Sequence, residues 1–424
     1  MGASDAIPGP GSRSGRRFEA RKQAILVSAV HAINRSGVRG MTLGQVAASL
    51  DLVPTAVIYY FKNKEELAAA CFLRGIERFG ALTAAAAEHA TSKARVAAFL
   101  GGFVEIKRAE AIGEAEPLVV FNDVRAVNAT AVNGAYTDMF RDVRSLFGVD
   151  GGLTRLERNA RTHLLLSEAF WSVVWLPKLD PEDYGRAAHR MGDIAVEGLA
   201  APGQRWEPKP IPPLAPHAGA TDEISRANFL RVATELINEQ GYVGASVEKI
   251  SARLKVTKGA FYHHNENKAD LVVACFEHTL QVMRAALRAA ETVADNGFQR
   301  LATAATALVE HQLSGNAPLL RTSALTSVPE GVQRELIGRF DRVSERFAAL
   351  ISDGIADGSI RPVDAAIGAQ MLTGMINAAA ELQFWAPGST SSTAASLYVQ
   401  PLFQGLLSPG AGEAGGASAR QTAG

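Results

Sequence analysis

Laid against itself at a shift of 204 positions, the 424-residue chain places 21–72 on 225–276 without a gap. Fifteen residues of the first stretch recur in the second: Leu26, Ala29, Ile33, Asn34, Gly37, Gly40, Ala48, Leu50, Ala56, Asn63, Lys64, Leu67, Ala70, Cys71 and Phe72. That many identities at one offset mark an internal repeat, and a repeat constrains architecture before any local pattern does. Downstream the likeness thins but persists. Phe140, Val143 and Phe147 return at the same spacing as Phe340, Val343 and Phe347, and Gly198-Leu199-x-x-Pro202-Gly203 returns as Gly405-Leu406-x-x-Pro409-Gly410. A chain this long exceeds one hydrophobic core, and the repeat divides it into two tandem units. Alanine-rich runs such as ALTAAAAEHA and LATAATAL favour helix, while β-branched alternation is scarce. The expected fold class is all-α.

Ser246 to Lys268, SVEKISARLKVTKGAFYHHNENK, holds the chemistry of the second unit. Val247, Ile250 and Leu254 stand at i, i+3 and i+7, and Ser246 precedes them as an N-cap whose hydroxyl takes an orphan backbone N–H. A turn falls near Lys255-Val256. Thr257 then caps a second helix over 258–264, carrying Lys258, Gly259, Tyr262, His263 and His264. Two short helices, a tight turn, and donors and aromatics on the second helix form the helix-turn-helix layout that enters the major groove. In the first unit a helix over 21–36 puts Ile25, Leu26, Ala29 and Ile33 on one face, and Gly37 suits the left-handed position that ends it. Thr42 caps 43–50, a helix follows over 54–60 with Pro54 acceptable as its first residue, and Lys64-Glu65-Glu66-Leu67 opens a fourth.

These residues resemble one family, the tetracycline-repressor-like (TetR) regulators, whose second motif helix reads Ser/Thr-Lys-Gly-x-aromatic-Tyr-x-His. Counted as two tandem copies, the resemblance covers nearly the whole chain. It implies two units, each a helix-turn-helix head on a helical regulatory and dimerisation body whose last two helices pair between subunits. It also implies contact with double-stranded operator DNA through Ser246, Thr257, Lys258, Gly259, Tyr262, His263 and Lys268 in the second copy. In the first copy the corresponding set is Thr42, Pro54, Thr55, Tyr59, Tyr60 and Lys64. That copy departs from the pattern, with Val53-Pro54-Thr55 standing where the second has Thr257-Lys258-Gly259, whereas the second has Asn265 in place of Phe61. Charge is uneven as well: 1–72 carries nine basic and five acidic residues, 222–276 seven of each.

In order, the expected organisation is a disordered basic arm (1–20), a first DNA-binding domain (21–69) and a first regulatory domain (70–203) closed by helices over 161–175 and 184–199. A Pro-rich linker (204–223) follows, semi-extended at ~3.1 Å per residue where polyproline-like. A second DNA-binding domain (224–273), a second regulatory domain (274–410) closed by helices over 362–384 and 391–406, and a disordered tail (411–424) complete it.

With 47% hydrophobic and 20% charged residues, the composition is that of a soluble globular protein. It has no run of ~20 apolar residues to span a membrane and no apolar leader. Cys71 and Cys275 are too few for a disulfide framework, which points to the cytoplasm, and both are expected to pack as small hydrophobes. Metal-ligand spacings, phosphate loops and nucleophile elbows are missing, so neither a cofactor nor an enzyme is expected. His163, among Leu164, Leu165 and Leu166, is expected to be a core or interface histidine with a backbone partner. The resemblance implies an apolar effector pocket near Phe103, Phe121, Phe140, Trp171 and Trp175, set against ordinary core packing for any one of them.

The function expected is a transcriptional regulator, more often a repressor in this family, acting as an intramolecular pseudo-dimer on an operator with unequal half-sites and modulated by a small apolar ligand. Pairing of two such chains stays open. The alternative is a ligand-binding or protein-interaction module in which one or both heads no longer bind DNA.

Overall fold

A computed structural model describes residues 13–121, 124, 127, 129–148, 152–214, 226–257, 267–315, 318–321 and 328–409. Among the described residues every regular element is helical, apart from one isolated antiparallel bridge between Ala200 and Ile360. The chain forms two compact units. One comprises the chain up to Phe79 with Gly113–Met139, the other Gly80–Ile112 with everything from Phe140 onward.

The first unit holds α1 (Arg13–Gly40), α2 (Leu43–Ala48), α3 (Pro54–Tyr60) and most of α4 (Lys64–Ala87). Ile25, Leu26, Ala29, Val30 and Ile33 recur at helical spacing on α1 and are buried, as are Val46, Val57, Leu67, Cys71 and Phe72. α1 begins at Arg13, not at residue 21. Phe18 supplies the reason, its ring lying 4.8 Å from Tyr60 and 6.0 Å from Tyr59, so the extra turns gain a tertiary contact that local sequence does not reveal. Gly37 interrupts the helix as expected: at φ 69° and ψ 170° it is non-helical, and a last turn follows it in which Met41 N–H donates to the Gly37 carbonyl at 3.1 Å. Only glycine takes that backbone without strain.

The second unit holds α5 (Ser92–Ala111), α7 (Arg155–Trp175) and α8 (Tyr184–Glu197), with the end of α6 (Thr130–Ser145). It also contains the second copy: α9 (Arg226–Gly244), α10 (Val247–Leu254), α11 (Lys268–Val293), α12 (Gly297–Leu313), α13 (Glu330–Ala356) and α14 (Ala365–Ala378). α5 lies along α8, with Gly192 facing Ala97. α7 packs against α14, and Gly374 makes room for Trp171, since a Cβ there would sit 2.8 Å from the indole.

Contacts between the copies run crosswise. Phe140 stacks on Trp385 at 4.3 Å, while its repeat partner Phe340 meets Trp171 at 5.8 Å. Leu199 N–H and Ala200 N–H donate to the Phe403 carbonyl at 2.8 Å, and Leu406 N–H to the Ala195 carbonyl at 2.8 Å. Gly198 (φ 73°) and Gly405 (φ 94°) stand at the crossing, where a Cβ on either would come within 2.4 or 2.3 Å of the other copy's backbone oxygen. An arginine from each copy closes the other's end. Arg161 donates to the carbonyls of Leu406 (2.8 Å) and Ser408 (2.6 Å), and Arg361 to those of Gly198 (2.7 Å) and Asp193 (3.1 Å).

Residues 204–214 of the expected linker carry no regular structure and are docked, Trp206 packing on Phe403 at 5.2 Å and Phe298 at 6.5 Å, and Lys209 N–H donating to Thr303 Oγ1 at 3.0 Å. After the short α15 (Leu382–Trp385), the last helix, expected over 391–406, runs on from α16 (Ser391–Ala394) through a π-helical turn (Ala395–Val399) into α17 (Gln400–Gln404). Pro401 lacks the N–H that a continuous ladder needs.

Candidate nucleic-acid interface

Each head is built from the same local devices. Thr42 accepts from Gln45 N–H at 3.2 Å while Gln45 Oε1 accepts from Thr42 N–H at 3.1 Å, a full capping box. Ser246, its repeat partner, accepts from Lys249 N–H at 3.3 Å without the return bond. The turn after each cap helix hinges on a non-glycine residue in the left-handed region, Asp51 (φ 55°) and Lys255 (φ 56°). It closes with equivalent bonds, Leu52 N–H to the Ala47 carbonyl (2.9 Å) and Val256 N–H to the Ser251 carbonyl (3.0 Å). Asn63 and Asn267 cap the next helices.

An asparagine in each copy, which the repeat shows but no functional pattern singles out, clamps the head to a loop of its own copy. Asn34 Nδ2 donates to the Leu118 carbonyl at 2.9 Å and its Oδ1 accepts from Val120 N–H at 2.8 Å. Asn238 does the same with Leu319 and Arg321, both at 2.9 Å. The cysteines also match, Cys71 Sγ lying 3.8 Å from the Leu26 carbonyl and Cys275 Sγ 3.7 Å from that of Leu230. Burial pushes both thiols up to about 12, so at neutral pH they are protonated packing groups.

Of the expected contact residues in the first head, Thr42, Pro54, Thr55 and Tyr59 are exposed and Tyr60 is half-buried. Val57 faces the core. Lys64 is half-buried and donates from Nζ to the Arg39 carbonyl at 2.8 Å, tying the start of α4 to the end of α1. Beside α3, Arg17, Phe18, Arg21, Tyr59 and Tyr60 line an open hollow of about 580 Å³, placing two guanidinium groups next to the aromatic end of the motif. Sequence reasoning left out Val53 and Ile58, which are 63% and 45% exposed. The signal was present, since an apolar residue at 58 shares a face with 54 and 55 and lies away from Val57.

In the second head Ser246 is half-buried, Thr257 is exposed, and Lys268 begins α11, where burial pulls its ammonium below the usual lysine range against the attraction of Glu248. Lys258, Gly259, Tyr262 and His263 lie outside the described residues. Several basic groups on this head meet carboxylates of the head itself. Arg253 pairs with Glu239 at 2.9 Å and Glu235 at 3.6 Å, and Arg231 with Glu235.

Of the five aromatics expected around an effector, Phe121 belongs to the first unit and Phe103, Phe140, Trp171 and Trp175 to the second. Phe121 sits in the first unit with Phe79 (5.2 Å) and Tyr136 (5.6 Å), and Phe103 has Lys107 over its ring at 5.9 Å. Phe140 and Trp171 face Trp385 and Phe340 of the second copy, and Trp175 is buried at the end of α7. His163 has the expected backbone partner, the Ala378 carbonyl at 3.0 Å. Among the described residues no group of three His, Cys, Asp or Glu side chains is placed to hold a metal, and no helix is long and apolar enough to cross a membrane.

In the first head a capped helix, a left-handed turn and a second helix form a helix-turn-helix, and the same cap and turn recur in the second head. The family profile described as "Bacterial regulatory proteins, tetR family" matches twice, at 25–71 and 229–275, and "Tetracyclin repressor-like, C-terminal domain" matches 294–381. The chain is 27% identical over 154 residues to the transposon Tn10 TetC protein of Escherichia coli, covering 35% of this chain and 77% of that protein. It is 30% identical over 141 residues to the HTH-type transcriptional repressor DhaR of Mycobacterium sp. (strain GP1), covering 32% and 70%. Among solved structures, apo AibR covers 42% of this chain and 97% of its own, at 24% identity and a TM-score of 0.36. The chain belongs to the TetR family and is a tandem TetR-family, DNA-binding transcriptional regulator.

Proposed function

We propose that one chain acts as an intramolecular pseudo-dimer, repressing from an operator with two unequal half-sites. The crosswise contacts of repeat-equivalent residues carry this reading, Phe140 and Phe340 on each other's copy and Gly198 against Gly405. Reciprocal contact of one patch with its equivalent is the signature of an isologous two-fold interface. Here the repeat brings both patches into one chain. Half-site symmetry mirrors protein symmetry, so unlike heads call for unlike half-sites. The domains proposed are two heads (21–69 and 224–273) and two bodies (70–203 and 274–410). A repressor role draws on the likeness to DhaR. A small apolar effector would act by favouring one arrangement of the heads, which requires unequal affinity for the two arrangements.

Footprinting combined with native mass measurement tests this. One chain per operator is expected to protect two non-identical half-sites, and Lys258→Ala to weaken protection mainly at one of them. Selection of a strict palindrome, or equal loss at both half-sites, would sink the proposal. A second reading rests on the loss of the lysine and glycine at 54–55: the first head has left DNA and serves as an interaction module. A steep fall of affinity with salt, lost when only the second half-site is offered, argues against it.

A further inference from the structure

The first head's reading helix is unusual for a protein that meets a polyanion. α3, PTAVIYY, contains no basic, acidic or amide side chain. Its outward surface is instead apolar: Val53 at the N-cap is 63% exposed, Ile58 45% and Tyr59 65%. Pro54 and Thr55 complete that face, one turn before Ile58, while Val57 is fully buried on the opposite side. Among the described residues few large hydrophobic side chains are this exposed, and three of them fall within 53–59.

The floor of the major groove offers one apolar group, the C5-methyl of thymine, and every other feature there is a hydrogen-bond donor or acceptor. Val53 and Ile58 can satisfy none of those polar groups. Set over guanine or cytosine they would strip water from the base edge and return no bond, which costs more than leaving it hydrated. Set over thymine they bury methyl against methyl. Charge for the backbone comes from elsewhere on the head, with Arg17 and Arg21 beside the aromatic end of α3 and Lys62 just beyond it.

We infer that the first head selects a thymine-rich half-site by apolar contact of Val53 and Ile58 with thymine methyl groups. This rests on the reading that both heads sit on DNA, and it specifies what the first head recognises there. Specificity is thereby divided within one chain, with methyl contacts on one half-site and the polar Thr257-Lys258-Gly259 end of the second motif on the other.

Replacing thymine by deoxyuridine removes the methyl and keeps the base pair and its O4 acceptor. The full chain is first footprinted on its selected operator, then titrated at one salt concentration against operators carrying deoxyuridine in one half-site at a time. Each contacted methyl should be worth about fourfold in Kd, the factor that matches ~0.8 kcal/mol per buried CH2, with under about twofold from the other half-site. In Val53→Ser and Ile58→Ser, whose positions are exposed and whose folding is checked by thermal melting, that sensitivity should vanish.

If both half-sites are protected but deoxyuridine has no effect, or its effect survives in the serine variants, the inference falls and the two-head reading stands. The apolar face would then belong to a protein contact. If only one half-site is protected and the serine variants leave Kd unchanged, the two-head reading falls and the inference with it.

Discussion

The two copies share a skeleton and differ in what they do with it. Turn, asparagine clamp and cysteine recur almost bond for bond, down to left-handed backbone at Asp51 and Lys255. On the surface they diverge. The first head shows an apolar reading helix flanked by basic groups, whereas arginines of the second are engaged by Glu235 and Glu239. The closing helices diverge in the opposite sense. Beside its leucines and tryptophans α7 buries Arg161, Thr162, His163, Ser167, Glu168 and Ser172, while α14 buries Thr373 among Ile367, Met371, Leu372, Met375 and Ile376. Conserving hydrogen bonds and backbone turns keeps a head folded. Its outward residues and the polarity of its body can then change without disturbing it.

The largest test concerns that difference in polarity. Glu168 on α7 is fully buried, neither carboxylate oxygen has a hydrogen-bond partner, and burial pushes its carboxyl well above the usual range. A carboxyl with a raised folded-state value contributes its full stability below the ordinary carboxylate range. It loses that stability as pH rises toward the folded value, at about 1.4 kcal/mol per pH unit across the window. Glu168→Gln cannot ionise. Its melting advantage over the native chain should therefore grow with pH from 4.5 upward and then level, and a pH-independent difference would contradict the account.

Next come the clamps. Asn34→Leu and Asn238→Leu each remove two hydrogen bonds to loop backbone and should each cost about 2 kcal/mol in urea unfolding, equally if the skeletons are equivalent. A silent change in one copy would break the comparison. The caps should match at the hydroxyl, Thr42→Ala and Ser246→Ala each losing one bond at ~1 kcal/mol, while Gln45→Ala removes a return bond that only the first copy has and should cost a further few tenths of a kcal/mol. The smallest effect is a gain. Lys255→Gly relieves left-handed strain and should stabilise by roughly 0.5–1 kcal/mol, and Asp51→Gly by less, because a short Asp side chain tolerates that conformation better.

Much of the fold was legible before any coordinates. Thr42 and Ser246 cap where their hydroxyls stand before a periodic apolar run, and Pro54 starts α3 where a missing N–H costs nothing. The cysteines pack as small hydrophobes, and His163 found its backbone carbonyl. Of the candidate site, Thr42, Pro54, Thr55 and Tyr59 do reach the surface; Val53 and Ile58, exposed beside them, are apolar residues that no polar contact pattern singles out, although spacing puts 58 on the face of 54 and 55.

The sequence by itself determined the repeat, the helix starts and the family, because these depend on spacing and on side-chain-to-backbone bonds that span a few residues. Only the tertiary structure decided where α1 begins, how Trp206 docks 204–214 on the second copy, and that Gly198 meets Gly405. Each of these depends on a partner far away along the chain. Local propensity cannot see such a partner, and burial against it outweighs local preference.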